Sequence, residues 1–334
     1  MEATPSSRSV FSAFDRAFLD GAVRYSTLGT GGIGGKAAGL ASMAGALARD
    51  LAAGDVDGLG IAIPRFLVLT TEFYDEFLAA NGLAAGDLVR RTDPEIAQRF
   101  LDGDLSPRLV GDLWALIRSV RRPLAVRSSS LLEDAMKEPF AGVYATKMIP
   151  NHQPSDEARF RRLLEAIKFV YASTWFETAR AYRDATGHGH GDEKMAVIIQ
   201  EVVGVRHGSR FYPLLSAVAR SFNYYPTGGG RREDGVVDLA LGLGKTIVGG
   251  DPVWSYSPRR PAAPPPFNGL DDMFKRTQLG FWAVRMSTTA SPDPLDEDEY
   301  LIRGDLADAD YDDTLSLLAS TLDSGSGRLV PGTG

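Results

Sequence analysis

Residues 29–40 read GTGGIGGKAAGL, five glycines ahead of a single lysine. Glycine lets backbone amides approach an anion closely, so the stretch raises the question of whether it holds a phosphate. Three readings compete. A P-loop requires G-x-x-x-x-G-K-[ST], but Thr30 stands where the first glycine belongs and Ala37 where a magnesium-binding hydroxyl belongs. That motif fails at both ends. Gly29-x-Gly31-x-x-Gly34 satisfies the dinucleotide fingerprint, yet the preceding VRYSTL is short and partly polar for the clean buried strand such a fingerprint follows. The third reading is a flexible loop capping a helix.

Downstream, Leu40, Met43, Leu47 and Leu51 recur at intervals of three and four, which predicts a helix beginning near Lys36. The glycines therefore feed a helix N-terminus, where free N–H groups and the helix dipole favour an anion. Next, Ile61, Ile63, Phe66, Val68 and Leu69 suggest a strand broken by Pro64. Thr71 can cap a following helix that carries Phe73, Phe77 and Leu78 and stops at Asn81-Gly82. This alternation points to an α/β chain. PLAVRSSSLLEDAMKEPFAGVYATKMIP, from Pro123, reads as a strand, a polar loop and a second strand. A single long helix is expected from Phe160 through Leu163, Ile167, Val170, Tyr171, Trp175, Ala179 and Tyr182 to Gly187. From Met195 onward the chain is β-rich, with turn signals at 227–230 and 249–250 and a proline-rich connector, SPRRPAAPPPFNG.

The chain of 334 residues carries a net charge of −7 and no cysteine. Without an overall basic field, neither nucleic acid nor an anionic membrane is an expected partner, and any phosphate site must be local. Disulfides and thiolate zinc sites are excluded. No run approaches the ~18 apolar residues of a membrane span, and the N-terminus lacks a signal peptide's apolar centre. A soluble, cytoplasmic protein is the expectation. Composition and pattern divide it into a disordered tail over 1–14, an α/β lobe over 15–194 with phosphate-binding loops, a β-rich lobe over 195–320 and a tail over 321–334.

Lys36 is a candidate phosphate cation, with an ordinary solvated lysine as the alternative. Arg127 stands where a strand gives way to three serines. Its guanidinium could fork onto phosphate oxygens while hydroxyls and backbone amides complete a cradle; the alternative is an ion pair with Glu133 or Asp134. Those two acids could instead accompany magnesium, but adjacent loop carboxylates are more often solvated or paired. His152, His188, His190 and His207 form no convincing metal set. No G-x-S-x-G elbow occurs, so the serines read as binders. The strand ending in Gln200, Glu201, Val202 and Val203 could present backbone groups to an adenine edge; read alone, it is core.

Taken together, GGKAAGLASM, IPRFLVLTTEFYDEFLAANGL, AVRSSSLLEDAMKEPFAGVYAT, AIKFVYASTWFETARAYR, MAVIIQEVV and VVDLALGLGKTIVGG resemble, in family order, a known nucleotide-binding domain. It is the N-terminal domain shared by phosphoenolpyruvate synthase, pyruvate phosphate dikinase and related dikinases such as rifampicin phosphotransferase. The resemblance implies an α/β (α+β), ATP-grasp-like fold in which two lobes clamp ATP. It implies phosphates held by Gly34, Gly35, Lys36, Arg127 and Ser128, with Thr146 near the nucleotide and Gln200, Glu201, Val202 and Val203 at adenine. Lys36 and Arg127 would be the catalytic cations, and ATP with Mg2+ the cofactors. It further implies a phosphohistidine domain and an acceptor-binding domain, downstream or in trans. No TSHA-like histidine motif and no late Gln-x-Arg-Pro strand with its acidic metal ligand is found. The fold is thus expected to be incomplete at its C-terminus, the metal ligands are unassigned, and the chain alone should lack net turnover. A non-catalytic nucleotide-binding module of the same fold is the competing expectation.

Overall fold

A computed structural model describes residues 11–50, 55–56, 58–131, 142–187, 189, 193–226, 230–261, 267–287, 293–323, 325–326 and 328–331. Most of the expected N-terminal tail, Glu133, Asp134, His188 and His190 lie outside these residues. The chain divides into two compact units: Met1–Val202 with Thr288–Tyr300, and Val203–Ser287 with Leu301–Gly334. Among the described residues no helix is long and apolar enough to cross a membrane.

The first unit runs β1 (Ser12–Ala13), α1 (Arg16–Leu19), β2 (Tyr25–Leu28), α2 (Gly34–Asp50), β3 (Asp55–Val56), β4 (Leu59–Gly60), β5 (Phe66–Leu69) and α3 (Thr71–Ala80). It continues with α4 (Ala85–Leu88), α5 (Asp93–Asp102), α6 (Pro107–Ser119), β6 (Leu124–Ser130), β7 (Thr146–Ile149), α7 (Asp156–Ala172), α8 (Glu177–Thr186) and β8 (Met195–Glu201). Six strands form one sheet in the order β1-β2-β5-β8-β6-β7. The pairs β1/β2 and β2/β5 are parallel, whereas β5/β8, β8/β6 and β6/β7 are antiparallel. A mixed sheet of this kind is not the doubly wound parallel sheet that a dinucleotide fingerprint serves. Strand β8, read from sequence as the start of the second lobe, lies inside this sheet, and β1 falls within the segment read as a tail.

Side chains alternate across a strand, so each central strand feeds two cores. Phe66, Val68, Ala196 and Ile198 pack beneath Ala37 and Ala44 of α2. On the opposite face Leu67, Leu69, Val126, Val197 and Ile199 share a larger core with α3, α5, α6 and α7. Each such aliphatic or aromatic side chain contributes about 1.5–3 kcal/mol on burial. The sheet is therefore a rigid floor from which loops project.

The long helix expected to end at Gly187 is instead two helices. Ser173 Oγ donates to Val170 O and Thr174 Oγ1 to Tyr171 O, both at 2.7 Å, and a 3-10 turn at Ser173–Trp175 separates α7 from α8. Hydroxyls that bond carbonyls three residues back compete with the α-helical ladder and tighten the last turn. The apolar face nonetheless stays buried across the break, and Gly187 ends α8 at φ +76°.

The second unit contains β9 (Val205–His207), β10 (Arg210–Tyr212), β11 (Leu215–Arg220), β12 (Val236–Leu241), α9 (Lys245–Val248), β13 (Trp254–Tyr256), α10 (Leu270–Arg276) and β14 (Gly280–Arg285). β15 (Leu301–Asp305), α11 (Leu306–Tyr311), β16 (Ser320–Asp323) and β17 (Arg328–Pro331) complete it. Its sheets, β15-β14-β10-β9 and β11-β12-β13, are antiparallel, and β16 and β17 form a hairpin in the segment read as a tail. Tyr212, Leu241, Phe281, Ala283, Ala309 and Leu315 make its core.

Between Ser287 and Leu301 the chain returns to the first unit. There Lys147 of β7 pairs with Glu299 at 2.9 Å, donates to Pro294 O at 2.6 Å and sits 4.3 Å from the centroid of the Phe169 ring. Burial pushes the Glu299 carboxyl from an ordinary 4.5 up to about 7, and the Lys147 ammonium offsets part of that rise. The folded chain thus holds this proton more tightly than the unfolded chain. The associated stability is complete below the unfolded value and is lost as pH rises through about 7. Melting temperatures followed by circular dichroism should fall between about pH 4.5 and 7 and level off above that for this reason, and Glu299→Gln should flatten the fall. An equal pH dependence in that variant contradicts the assignment.

Candidate nucleotide-phosphate site

The glycine run connects β2 to α2. Gly29 and Gly34 have φ of +91° and +70°, a region L side chains rarely occupy. A Cβ on Gly29 would stand 2.2 Å from Thr70 Oγ1, and one on Gly34 would stand 1.8 Å from the carbonyl oxygen of Ser129. The loop is also tied from the side. Thr71 N donates to Gly32 O at 2.9 Å, and Gly32 N donates to Thr71 Oγ1 at 3.0 Å. Thr30 donates to Glu72 Oε2 from its amide at 2.9 Å and from its hydroxyl at 2.7 Å. The Thr30 hydroxyl and amide, assisted by Arg108, hold the Glu72 carboxyl below its usual range despite partial burial.

Strand β6 supplies the other wall. Ser129 Oγ donates to Ile33 O at 2.8 Å and accepts from Ala37 N at 3.0 Å, so a serine far away in sequence caps the first turn of α2. Lys36 Nζ donates to Ser128 Oγ at 2.9 Å. Arg127, next along the strand, donates from Nη1 to Gln200 Oε1 at 3.0 Å. The register explains this pair. Ala125 lies opposite Gln200 and Arg127 opposite Ile198, so Arg127 and Gln200 share a face one step apart. On its other side Arg127 is opposite Thr146 of β7, whose amide donates to Glu297 Oε1 at 2.8 Å.

The structure thus brings Gly34, Gly35, Lys36, Ser128, Arg127, Gln200 and Thr146 to one neighbourhood at the α2 start and the adjoining strands. Glu201 is placed differently, in an ion pair with Arg65 at 2.6 Å. Val202 is buried and its amide donates to Pro123 O, whereas Val203 is exposed and belongs to the second unit. Sequence reasoning read Ser129 only as one of three binding serines and Thr71 only as a helix cap, and it missed the anchoring roles of Ser129, Thr30, Thr71 and Glu72. The pattern Thr70-Thr71-Glu72 directly after a buried strand was the available signal for two of them, Thr71 and Glu72, because hydroxyls and a carboxylate there can tie a neighbouring loop.

Chemically, two cations, a serine hydroxyl and a helix N-terminus suit a polyanion. Among the described residues no group of three or more His, Asp or Glu is placed to hold a metal ion. Gly34→Ala should test the geometry. Its φ alone costs about 1–3 kcal/mol for a non-glycine residue, and the contact with Ser129 O adds to that. A urea midpoint lowered accordingly, with the start of α2 displaced, is the expected result; a wild-type midpoint contradicts the packing described.

Residues 31–255 match the family model described as pyruvate phosphate dikinase, AMP/ATP-binding domain. Phosphoenolpyruvate synthase of Aeropyrum pernix is 28% identical over 239 residues, covering 65% of this chain and 25% of the relative. Rifampicin phosphotransferase of Bacillus cereus is 26% identical over 206 residues, covering 57% and 22%. Phosphoenolpyruvate synthase of Escherichia coli is 25% identical over 167 residues, covering 45% and 20%. The chain therefore spans no more than about a quarter of the length of these relatives. With two thirds of its residues inside the matched model, the chain belongs to the pyruvate phosphate dikinase AMP/ATP-binding domain family.

Proposed function

We propose that this chain binds ATP as the phosphoryl-donor module of a phosphoenolpyruvate synthase/pyruvate phosphate dikinase-like phosphotransferase. Gly34, Gly35, Lys36, Arg127 and Ser128 face the phosphates, Thr146 lies beside the nucleotide, and of the segment expected at adenine Gln200 is the residue that meets it, in an ATP-grasp-like arrangement. The observation that carries this reading is the contact of Lys36 Nζ with Ser128 Oγ, which sets one cation beside the residue adjoining the other at the start of α2. Lys36 and Arg127 neutralise phosphate oxygens in the ground state and gain importance as negative charge spreads over the transferred group. The helix N-terminus adds a fixed favourable potential without reorganisation. Magnesium would supply further charge neutralisation; it would be carried in by the nucleotide's own oxygens.

The acceptor of the phosphoryl group is a histidine on a separate unit, which passes it to pyruvate or another acceptor. The greater length of the relatives leaves room for such units, and a cytoplasmic ATP pool suits the reaction. Alone, the chain performs no net turnover. Calorimetry with ATP, with and without magnesium, tests the proposal. Magnesium-strengthened binding supports a donor module. Binding indifferent to magnesium favours a non-catalytic nucleotide sensor of the same fold, and no binding removes both.

A further inference from the structure

A buried charged cluster lies just beyond the candidate site and touches the elements that build it. Glu193, 5% exposed and two residues ahead of β8, accepts through Oε1 from Ser130 Oγ and through Oε2 from the Tyr144 hydroxyl. Ser130 is the last residue of β6, directly after Ser128 and Ser129; Tyr144 stands two residues ahead of Thr146. Burial and the neighbouring carboxylate push the Tyr144 phenol above its usual range, so it keeps its proton and acts as donor. Arg183 of α8 is fully buried, lies 5.8 Å from the centroid of the Trp175 ring, and supplies positive charge to the same two phenols, Tyr144 and Tyr74, that Glu193 acts on. Tyr74 accepts from Trp175 Nε1 at 2.9 Å and shares a 2.7 Å hydrogen bond with Thr174 Oγ1. It is carried by α3, the helix whose first turn holds the glycine loop through Thr71 and Glu72.

We propose that Glu193 is a positioning residue for nucleotide binding: by bonding Ser130 and Tyr144 at once, it fixes the end of β6 against the approach to β7. The serines and Arg127 are thereby set relative to Thr146. A buried carboxylate is an expensive way to fill this space, because removing a charge from water costs several kcal/mol that well-packed apolar side chains avoid. What it offers that they lack is two directional acceptors, one for each strand end. Arg183, buried beside Trp175, places positive charge near the same cluster.

This inference rests on the ATP reading, and the test separates the two. Ser130→Ala and Tyr144→Phe each remove one arm while leaving the carboxylate in place. Each is expected to weaken ATP binding about 2- to 10-fold, the value of one lost hydrogen bond, in calorimetry well below the unfolding midpoint. The decisive comparison is a cycle with Arg127→Ala. If Glu193 positions Arg127 and the serines, Tyr144→Phe costs affinity in the wild-type background and little in Arg127→Ala. Equal costs in both backgrounds, or wild-type affinity in both single variants, overturn the positioning role while leaving ATP binding intact. Absence of ATP binding by the wild-type chain overturns both. Glu193→Gln, which keeps the shape and one acceptor, should fall between wild type and the weaker-binding variants.

Discussion

Arg127→Ala is expected to weaken ATP binding about 10- to 150-fold, the equivalent of losing one charge-assisted hydrogen bond of about 1.5–3 kcal/mol. The guanidinium sits between Ile198 and Thr146 in register and is already oriented by Gln200, so little conformational freedom remains to be lost when a phosphate arrives. Arg127→Lys should recover only part of the affinity, because an ammonium replaces a planar fork by a point charge. Lys36→Ala should act in the same direction. Because Lys36 from α2 and Arg127 from β6 share one triphosphate as partner, the two losses should couple rather than simply add in calorimetry. Near-wild-type affinity in folded Arg127→Ala and Lys36→Ala proteins would remove these residues from the site.

The second large effect concerns stability. Lys147→Met leaves the Glu299 carboxyl, 2% exposed, without its cation. Breaking a buried pair from one side typically costs about 3–5 kcal/mol, and that loss is expected in urea unfolding at about pH 8. At lower pH the loss should shrink, because Glu299 titrates near 7 even with Lys147 present and accepts a proton more readily without it. Removing both charges, as Lys147→Met with Glu299→Leu, should restore much of the stability, since two apolar side chains in that space avoid desolvating any charge. A single variant with wild-type stability at high pH would show that the pair contributes nothing.

The parts of this fold that were legible in the sequence are those decided by neighbours. The helix after the glycines follows from its three-and-four periodicity, β5 and α3 follow from an apolar run succeeded by threonines, and the β-rich character read from Met195 onward follows from turn residues, although β8 belongs to the first unit's sheet. Lys36 stood out where the glycine loop meets a helix, whereas Arg127, expected where a strand gives way to a loop, lies inside β6, which runs on through the three serines to Ser130. What sequence could not show depends on distant partners. Ser129 caps α2 from 92 positions away, and Glu193 reaches Ser130 across 63. The break between α7 and α8 was hidden because the apolar stripe continues through it; only the two hydroxyls at Ser173 and Thr174 mark it. The return of residues 293–300 to the first unit was invisible too, since an acidic loop ordinarily reads as solvated, and nothing local announces the buried Lys147 that receives it.

The central claim is that one triphosphate lies across the start of α2 and the end of β6. Amide chemical-shift mapping of the full 334-residue chain with a non-hydrolysable ATP analogue tests it most directly. The account predicts that the largest changes fall on Gly34, Gly35, Lys36, Arg127 and Ser128. Saturable shifts elsewhere, with these five amides unmoved, would contradict it.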